Sequence, residues 1–199
     1  METITYNNFE AKVHLALFTS VENGKEIRER IIKASTAEGA EGDAAREAVN
    51  FAFVDAKLIA SPRHLLTATY QSLLAESQES LKTKTVHSEI IWSLNPTSNI
   101  TEALRRFGVN DNSSTLLVVR VVKSSENLDV EKNMKEVVQG NLVPLSELEN
   151  VTDWSLISKY YKLNSEVAVT GLKNPNDTKR HKIIEELVTS FVAMKSVSS

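Results

Sequence analysis

Residues 95–122 read NPTSNITEALRRFGVNDNSSTLLVVRVV, and three structural periods follow one another within them. Asn95-Pro96-Thr97-Ser98-Asn99 is a turn rich in side chains that cap helices. Ile100, Ala103, Leu104 and Phe107 then fall on one helical face, and Gly108 stands where a left-handed backbone ends a helix. After the polar link VNDNSS, the β-branched run TLLVVRVV at 115–122 predicts a strand covered on both faces.

Upstream, AKVHLALF at 11–18 alternates with the period of a strand, and a helix capped at Asn23 runs to about Ala34. Residues 35–49 are small, acidic and glycine-containing, which predicts a mobile surface loop, with a short helical piece at its end as the alternative. FAFVD at 51–55 reads as a buried strand. Ser61-Pro62 opens a helix to about Ser77, with serine as cap and proline at the first helical position. VHSEIIWSL at 86–94 reads as a further strand. Helices follow over 129–139, from Thr152 through Tyr161, and over 179–195; a polar link occupies 173–178, and the tail 196–199 frays. The reading is one α/β domain of the α+β type spanning residues 1–199, with the direction of its strands left open by period alone.

The chain has 199 residues, 23 basic and 26 acidic, for a net charge of −3, and 41% of it is hydrophobic. That length buries a sizeable core. Any contact with nucleic acid falls to local patches and not to a global field. Zero cysteines exclude disulfides, thiolate metal sites and a cysteine nucleophile. No apolar stretch approaches a membrane span, and METITYNNFE lacks the pattern of a secretory signal, so a soluble intracellular protein is expected.

Catalytic patterns are sparse. Neither a glycine-rich dinucleotide fingerprint nor a phosphate loop occurs, no serine sits in a nucleophile elbow, and His14, His64, His87 and His181 fall in separate elements. No metal and no cofactor is called for. Asp55, at a strand end, is the best-placed lone carboxylate, followed by Glu89. A small enzyme using one of them with a nearby histidine is one rival reading, and a regulatory domain that binds a small molecule is another. Lys82 and Lys84, Arg105 and Arg106, and Lys179, Arg180 and Lys182 form local basic clusters of the kind that meets phosphates. The last cluster opens a helix, where cations oppose the macrodipole.

The segment from Asn95 to Val109, preceded by a strand and followed by Asp111–Ser114 and an apolar strand, resembles the TPRKB family, the PRPK-binding subunits of the EKC/KEOPS complex. VHLALF at 13–18, Lys25-Glu26-Ile27-Arg28, Phe51-Ala52-Phe53-Val54-Asp55 and Tyr160-Tyr161-Lys162-Leu163 agree with it in family order. Residues 37–49 are longer than the family's passage at that point. The resemblance implies a central, largely antiparallel sheet of four to five strands flanked by helices. It implies a non-catalytic subunit in nucleus and cytoplasm that binds and regulates a small kinase/ATPase, and through it meets a threonylcarbamoyltransferase. It also implies help in holding tRNA by its 3′ end for modification of the adenosine beside the anticodon.

On that footing Asn99, Ile100, Ala103 and Leu104, with Leu66 and Tyr70 on the 61–77 helix, are the candidate kinase contacts. A plain core role is the alternative for the apolar ones, and Phe107 is assigned to it. Lys82, Lys84, Arg105, Arg106, Lys179, Arg180 and Lys182 are the candidate tRNA contacts. Tyr70, Trp92, Trp154, Tyr160 and Tyr161 are candidates for stacking on bases.

Overall fold

A computed structural model describes residues 1–172 and 174–198. In chain order its first elements are β1 (Glu2–Tyr6), β2 (Ala11–Thr19), α1 (Gly24–Thr36), α2 (Gly39–Ala48), β3 (Ala52–Asp55), α3 (Pro62–Ser77), α4 (Val86–Leu94) and α5 (Ile100–Phe107). Then come β4 (Leu116–Lys123), α6 (Val130–Val137), β5 (Asn141–Val143), α7 (Leu148–Val151), α8 (Trp154–Tyr160), α9 (Val167–Thr170) and α10 (Thr178–Ser198). They form two compact units, one of residues 1–55 and 108–145, the other of 56–107 and 146–199.

The first unit holds an antiparallel sheet in the order β1-β2-β4-β3, with β5 pairing β2 beyond the end of β1. The central pair sets Val13 opposite Val121, Leu15 opposite Val119 and Leu17 opposite Leu117. Because side chains alternate across a strand, one sheet face carries Ala16, Phe18, Phe53, Leu116, Val118 and Val122. These pack with Ile27 of α1 and Val130, Met134 and Val137 of α6. The opposite row, Val13, Leu15, Leu17 and Val119, is buried too, as the run TLLVVRVV predicts. The turn after β2 admits little bulk: a Cβ on Gly140 would lie 2.9 Å from the Thr19 carbonyl oxygen.

Several expectations are corrected. Residues 86–94 are a helix and not a strand. Every residue of α4 except Ser88 is buried, so neither period shows in the sequence, and Thr85 and Ser88 close a reciprocal capping box at its start. In residues 35–49 the helical alternative extends over most of the stretch as α2, built largely of alanine and glutamate, which are strong helix formers. Arg46 secures it with bonds to the carbonyls of Ala34 (3.2 Å) and Ala37 (2.6 Å). Buried Arg120 of β4 donates to the Asn50 carbonyl and pairs with Glu47. Asn23 begins α1 without capping it. Its amide donates to the Val137 carbonyl at 2.9 Å and its oxygen accepts from the Gln139 amide at 3.0 Å, tying α1 to the end of α6. Gly108 forms an antiparallel bridge with Val54. The end of α3 instead uses Glu79 as its left-handed residue (φ 53°), with Ser80 N–H returning to the Ala75 carbonyl at 2.9 Å. Strands β1 and β5 are additions to the predicted set.

The second unit is helical. Ser61 caps α3 as expected, accepting from His64 N–H at 3.2 Å. Asp153, and not Thr152, caps α8 by accepting from Leu156 N–H at 2.8 Å. α10 packs on α3 and α4 through Ile184, Val188 and Val192. Helix continues to Ser198 where fraying was expected; Lys173 of the predicted link and Ser199 of the predicted tail lie outside the described residues. Among the described residues no helix is long and apolar enough to cross a membrane.

Candidate functional site

The candidate contacts all fall in the second unit, spread over α3, the loop after it, the turn at 95–99, α5 and the start of α10. Asn95 is fully buried, and its amide donates to the carbonyl (3.1 Å) and hydroxyl (2.8 Å) of Thr97. Thr97 in turn donates to the Glu102 carboxylate, a bond that holds this carboxyl below its usual range, with the amide of Asn95 and the charges of Arg106 and Arg105 adding to it. Asn99 accepts from Glu102 N–H at 2.9 Å. Its side chain is therefore a helix cap, although the residue is exposed.

α5 is two-faced. Ala103 and Phe107 are fully buried, whereas Ile100 and Leu104, one turn apart, are 39% and 44% exposed. Ala103 is thus corrected from a contact to a core residue: its methyl group faces the protein's own interior. On α3, Tyr70 is exposed and Leu66 half-buried.

Phe191 and Met194 of α10 are 47% and 59% exposed. Together with Leu94, Pro96 and Leu187 they line a cavity of about 390 Å³ beside the C-terminal end of α4. At its edge the Lys195 ammonium lies 3.7 Å from the centroid of the Trp92 ring. It donates to the carbonyls of Asn95 (2.6 Å), Thr97 (3.1 Å) and Trp92. Burial lowers the pKa of this amine to about 8.

The stacking candidates separate by burial. Trp92 is buried, with its indole N–H donating to the Ser98 carbonyl at 3.2 Å. Tyr161 is buried, donates to the Leu94 carbonyl and meets His64 Nε2 at 3.0 Å. Ala60 N–H donates to His64 Nδ1 at 3.3 Å, which fixes Nε2 as the protonated nitrogen and makes Tyr161 its acceptor. Neither Trp92 nor Tyr161 can stack on a base. One face of Trp154 is taken by His181, parallel to within 7° at 4.2 Å. Arg106 lies over Tyr160 at 4.7 Å from the ring centroid. Tyr70 is the stacking candidate that stands exposed.

The basic residues separate in the same way. Lys82, Lys84, Arg105, Lys179 and Lys182 are exposed. Arg106 is corrected to a structural role: it pairs with Glu102 at 2.7 Å besides covering Tyr160. Arg180 is half-buried, which limits its reach. Asp177 stands at the start of α10 and accepts from Lys179 N–H at 2.8 Å, placing a carboxylate where the basic run meets the positive end of the helix.

The groups of the rival enzyme reading are engaged locally. Asp55, in the first unit, accepts from Asn110 Nδ2 (3.3 Å) and Ser113 Oγ (3.4 Å). Glu89, in the second, accepts from the backbone of Lys82 and Thr83. Neither lines the cavity beside α4 or the open one of about 630 Å³ between His14 and α6. Among the described residues no cluster of three or more histidine and carboxylate side chains is placed to hold a metal.

The family model described as kinase binding protein CGI-121 matches residues 18–196. The chain belongs to this family. Among its curated relatives, the EKC/KEOPS complex subunit CGI121 of Cryptococcus neoformans is 35% identical, the match covering 99% of this chain and all of the relative. The EKC/KEOPS complex subunit cgi121 of Neurospora crassa is 31% identical over 93% of this chain and 92% of its own length. That of Aspergillus terreus is 28% identical over 100% and 98%. The segment 95–109 that carried the resemblance is the turn and helix with the outward Ile100 and Leu104.

Proposed function

We propose that the chain is a non-catalytic accessory subunit of an EKC/KEOPS-type complex. In this reading it binds and regulates the small kinase/ATPase subunit, the PRPK counterpart, and through it meets the threonylcarbamoyltransferase subunit. It helps recruit tRNA, by the 3′ end, for threonylcarbamoyladenosine modification beside the anticodon, in nucleus and cytoplasm. Family membership and the names of the relatives support the kinase and the complex. The observation that carries the reading is the division of α5: two apolar residues point outward while Ala103 and Phe107 hold the helix to its own unit. An exposed apolar pair on a firmly seated helix is the raw material of a buried interface centre. Leu66, Tyr70 and the exposed cap Asn99 belong to the same proposed contact set.

Affinity purification of the tagged chain from cells tests the first part. A small kinase should co-purify with the wild type, and Ile100→Glu with Leu104→Glu should lose it while remaining folded by circular dichroism. Retention of the kinase by that folded variant would place the interface elsewhere. For the RNA part, the exposed residues Lys82, Lys84, Arg105, Lys179 and Lys182 are the proposed phosphate contacts. Charge reversal within these groups should weaken binding of a tRNA transcript. Few contacts are on offer, so the log–log salt slope should be shallow, roughly −0.7 per phosphate on a single-stranded end. Removing the terminal nucleotides should weaken binding as well; unchanged binding would remove the 3′-end role.

A further inference from the structure

The loop between α3 and α4 contains no glycine, yet its shape is fixed by a single carboxylate. Glu89 lies in the first turn of α4 and is 2% exposed. Lys82 N–H donates to both of its oxygens, at 3.1 and 3.0 Å. Thr83 contributes its N–H at 2.8 Å and its hydroxyl at 2.7 Å. Two successive backbone N–H groups converging on one anion make a concave donor nest, here filled from within the chain. Ser88 extends the arrangement by donating to the Thr83 hydroxyl at 3.0 Å, and its own hydroxyl accepts from Thr85 N–H at 3.2 Å. Thr83 is consequently drawn inward, and Lys82 and Lys84 on either side of it are exposed.

We propose that Glu89 is a positioning residue that holds Lys82 and Lys84 as a preorganised cationic pair for the phosphate backbone of RNA. The inference rests on the tRNA reading given above, which it sharpens to this loop. Two lysines on a mobile loop would lose backbone freedom on binding; on a backbone already fixed by charge-assisted hydrogen bonds that cost is met in folding. Glu89 serves this role better than a neutral residue because all its donors are N–H or O–H groups. Glutamine has the same shape and can keep its oxygen where Lys82 N–H, Thr83 N–H and the Thr83 hydroxyl converge, but it loses the charge and turns its NH₂ toward the Lys82 N–H that the second carboxylate oxygen accepts.

Three variants separate the possibilities: Glu89→Gln, Lys82→Ala with Lys84→Ala, and Thr83→Val. Each is followed by amide exchange at residues 82 and 83, by trypsin cleavage after residue 82 or 84 where lysine remains, and by affinity for a tRNA transcript at several salt concentrations. Glu89→Gln should speed exchange and cleavage and lower affinity by about three- to tenfold. Its salt slope should shallow toward that of the double lysine variant, by roughly 0.7–0.9 for each lost phosphate contact. Plain destabilisation would not change the slope of the folded fraction, so the slope reports positioning. Thr83→Val, which removes one hydroxyl donor and keeps the carboxylate, should move the same quantities less and serves if Glu89→Gln does not fold. If the double lysine variant binds as the wild type does, the RNA reading of this loop fails. If that variant weakens binding while Glu89→Gln keeps wild-type affinity and slope, the lysines touch RNA and the positioning role of Glu89 is overturned.

Discussion

α4 and α5 are consecutive helices of nearly equal length, joined by a short turn, and they are used in opposite ways. α4 is enclosed everywhere but at Ser88: Ile90 and Leu94 are fully buried, and even the polar His87, Glu89 and Ser93 are covered. α5 buries Ala103 and Phe107 and turns Ile100 and Leu104 out. The first is a structural post, the second a surface mounted on it. Only a well-anchored helix can expose leucine-sized side chains without losing its place, because its seat is secured by other residues.

The contrast can be broken most forcefully through α4. Ile90→Ala should cost about 2–5 kcal/mol, the range for emptying a close-packed site, read as a lower denaturant midpoint at unchanged slope. A loss below about 1 kcal/mol would show that α4 is not the post described. Tyr161→Phe comes next. It removes the hydroxyl that joins His64 to the last carbonyl of α4 and leaves both short of a partner, for about 1–3 kcal/mol in the same measurement.

The same contact gives a pH dependence. Burial lowers the pKa of His64 to about 3, against 6.5 for the ordinary side chain. Below pH 6.5 the unfolded chain therefore binds a proton that the folded chain refuses, and stability falls as the pH drops toward 3. Urea midpoints at pH 7 and pH 5 should differ in that direction, and a rise at pH 5 would contradict the buried neutral histidine. The smallest effect belongs to α5. Ile100→Glu should change stability by no more than about 0.5 kcal/mol, since it replaces an exposed residue and sets a carboxylate in a first helical turn. Unfolding of that variant would erase the distinction between the two helices.

These two helices also mark where the sequence could be read. α5 was legible because its buried and exposed sides differ and its cap, Asn99, is a residue type suited to the task. α4 was taken for a strand because a helix buried all round leaves no periodic trace, and its β-branched and aromatic residues imitate a strand. α2 was hidden differently: alanine and glutamate favour helix, but Gly39 and Gly42 gave the stretch the look of a loop. Its anchor, Arg120, sits in an otherwise apolar strand more than 70 residues away, so no local signal could announce it. Among candidate site residues, spacing put Ile100, Ala103, Leu104 and Phe107 on one helical face, and only the resemblance singled out Ile100 and Leu104 as contacts. Ala103 was not separable from them, because it shares their side of the helix closely enough that only the packed structure divides it from them. Arg106 and Arg105 look alike in sequence; the Glu102 carboxylate and the Tyr160 ring distinguish them. Glu89 reads as a candidate acid in the sequence, and the partners that give it a different part are, apart from the Thr83 hydroxyl, backbone groups, which carry no signature in side-chain type.

The interleaving of the two units bears on how the chain comes into being. Residues 1–55 wait for 108–145, and 56–107 wait for 146–199, so neither unit is complete in any single uninterrupted fragment. The central strand pair joins Leu17 to Leu117 and Ala11 to Lys123, contacts that a growing chain cannot make until β4 has followed β2 out of the ribosome. Distant pairing of this kind slows folding, and during synthesis β2 is exposed before the strand that will cover its edge exists. Early in synthesis β2 thus has β1 along one edge and, until β4 is made, an uncovered edge on the other that is open to pairing with another chain.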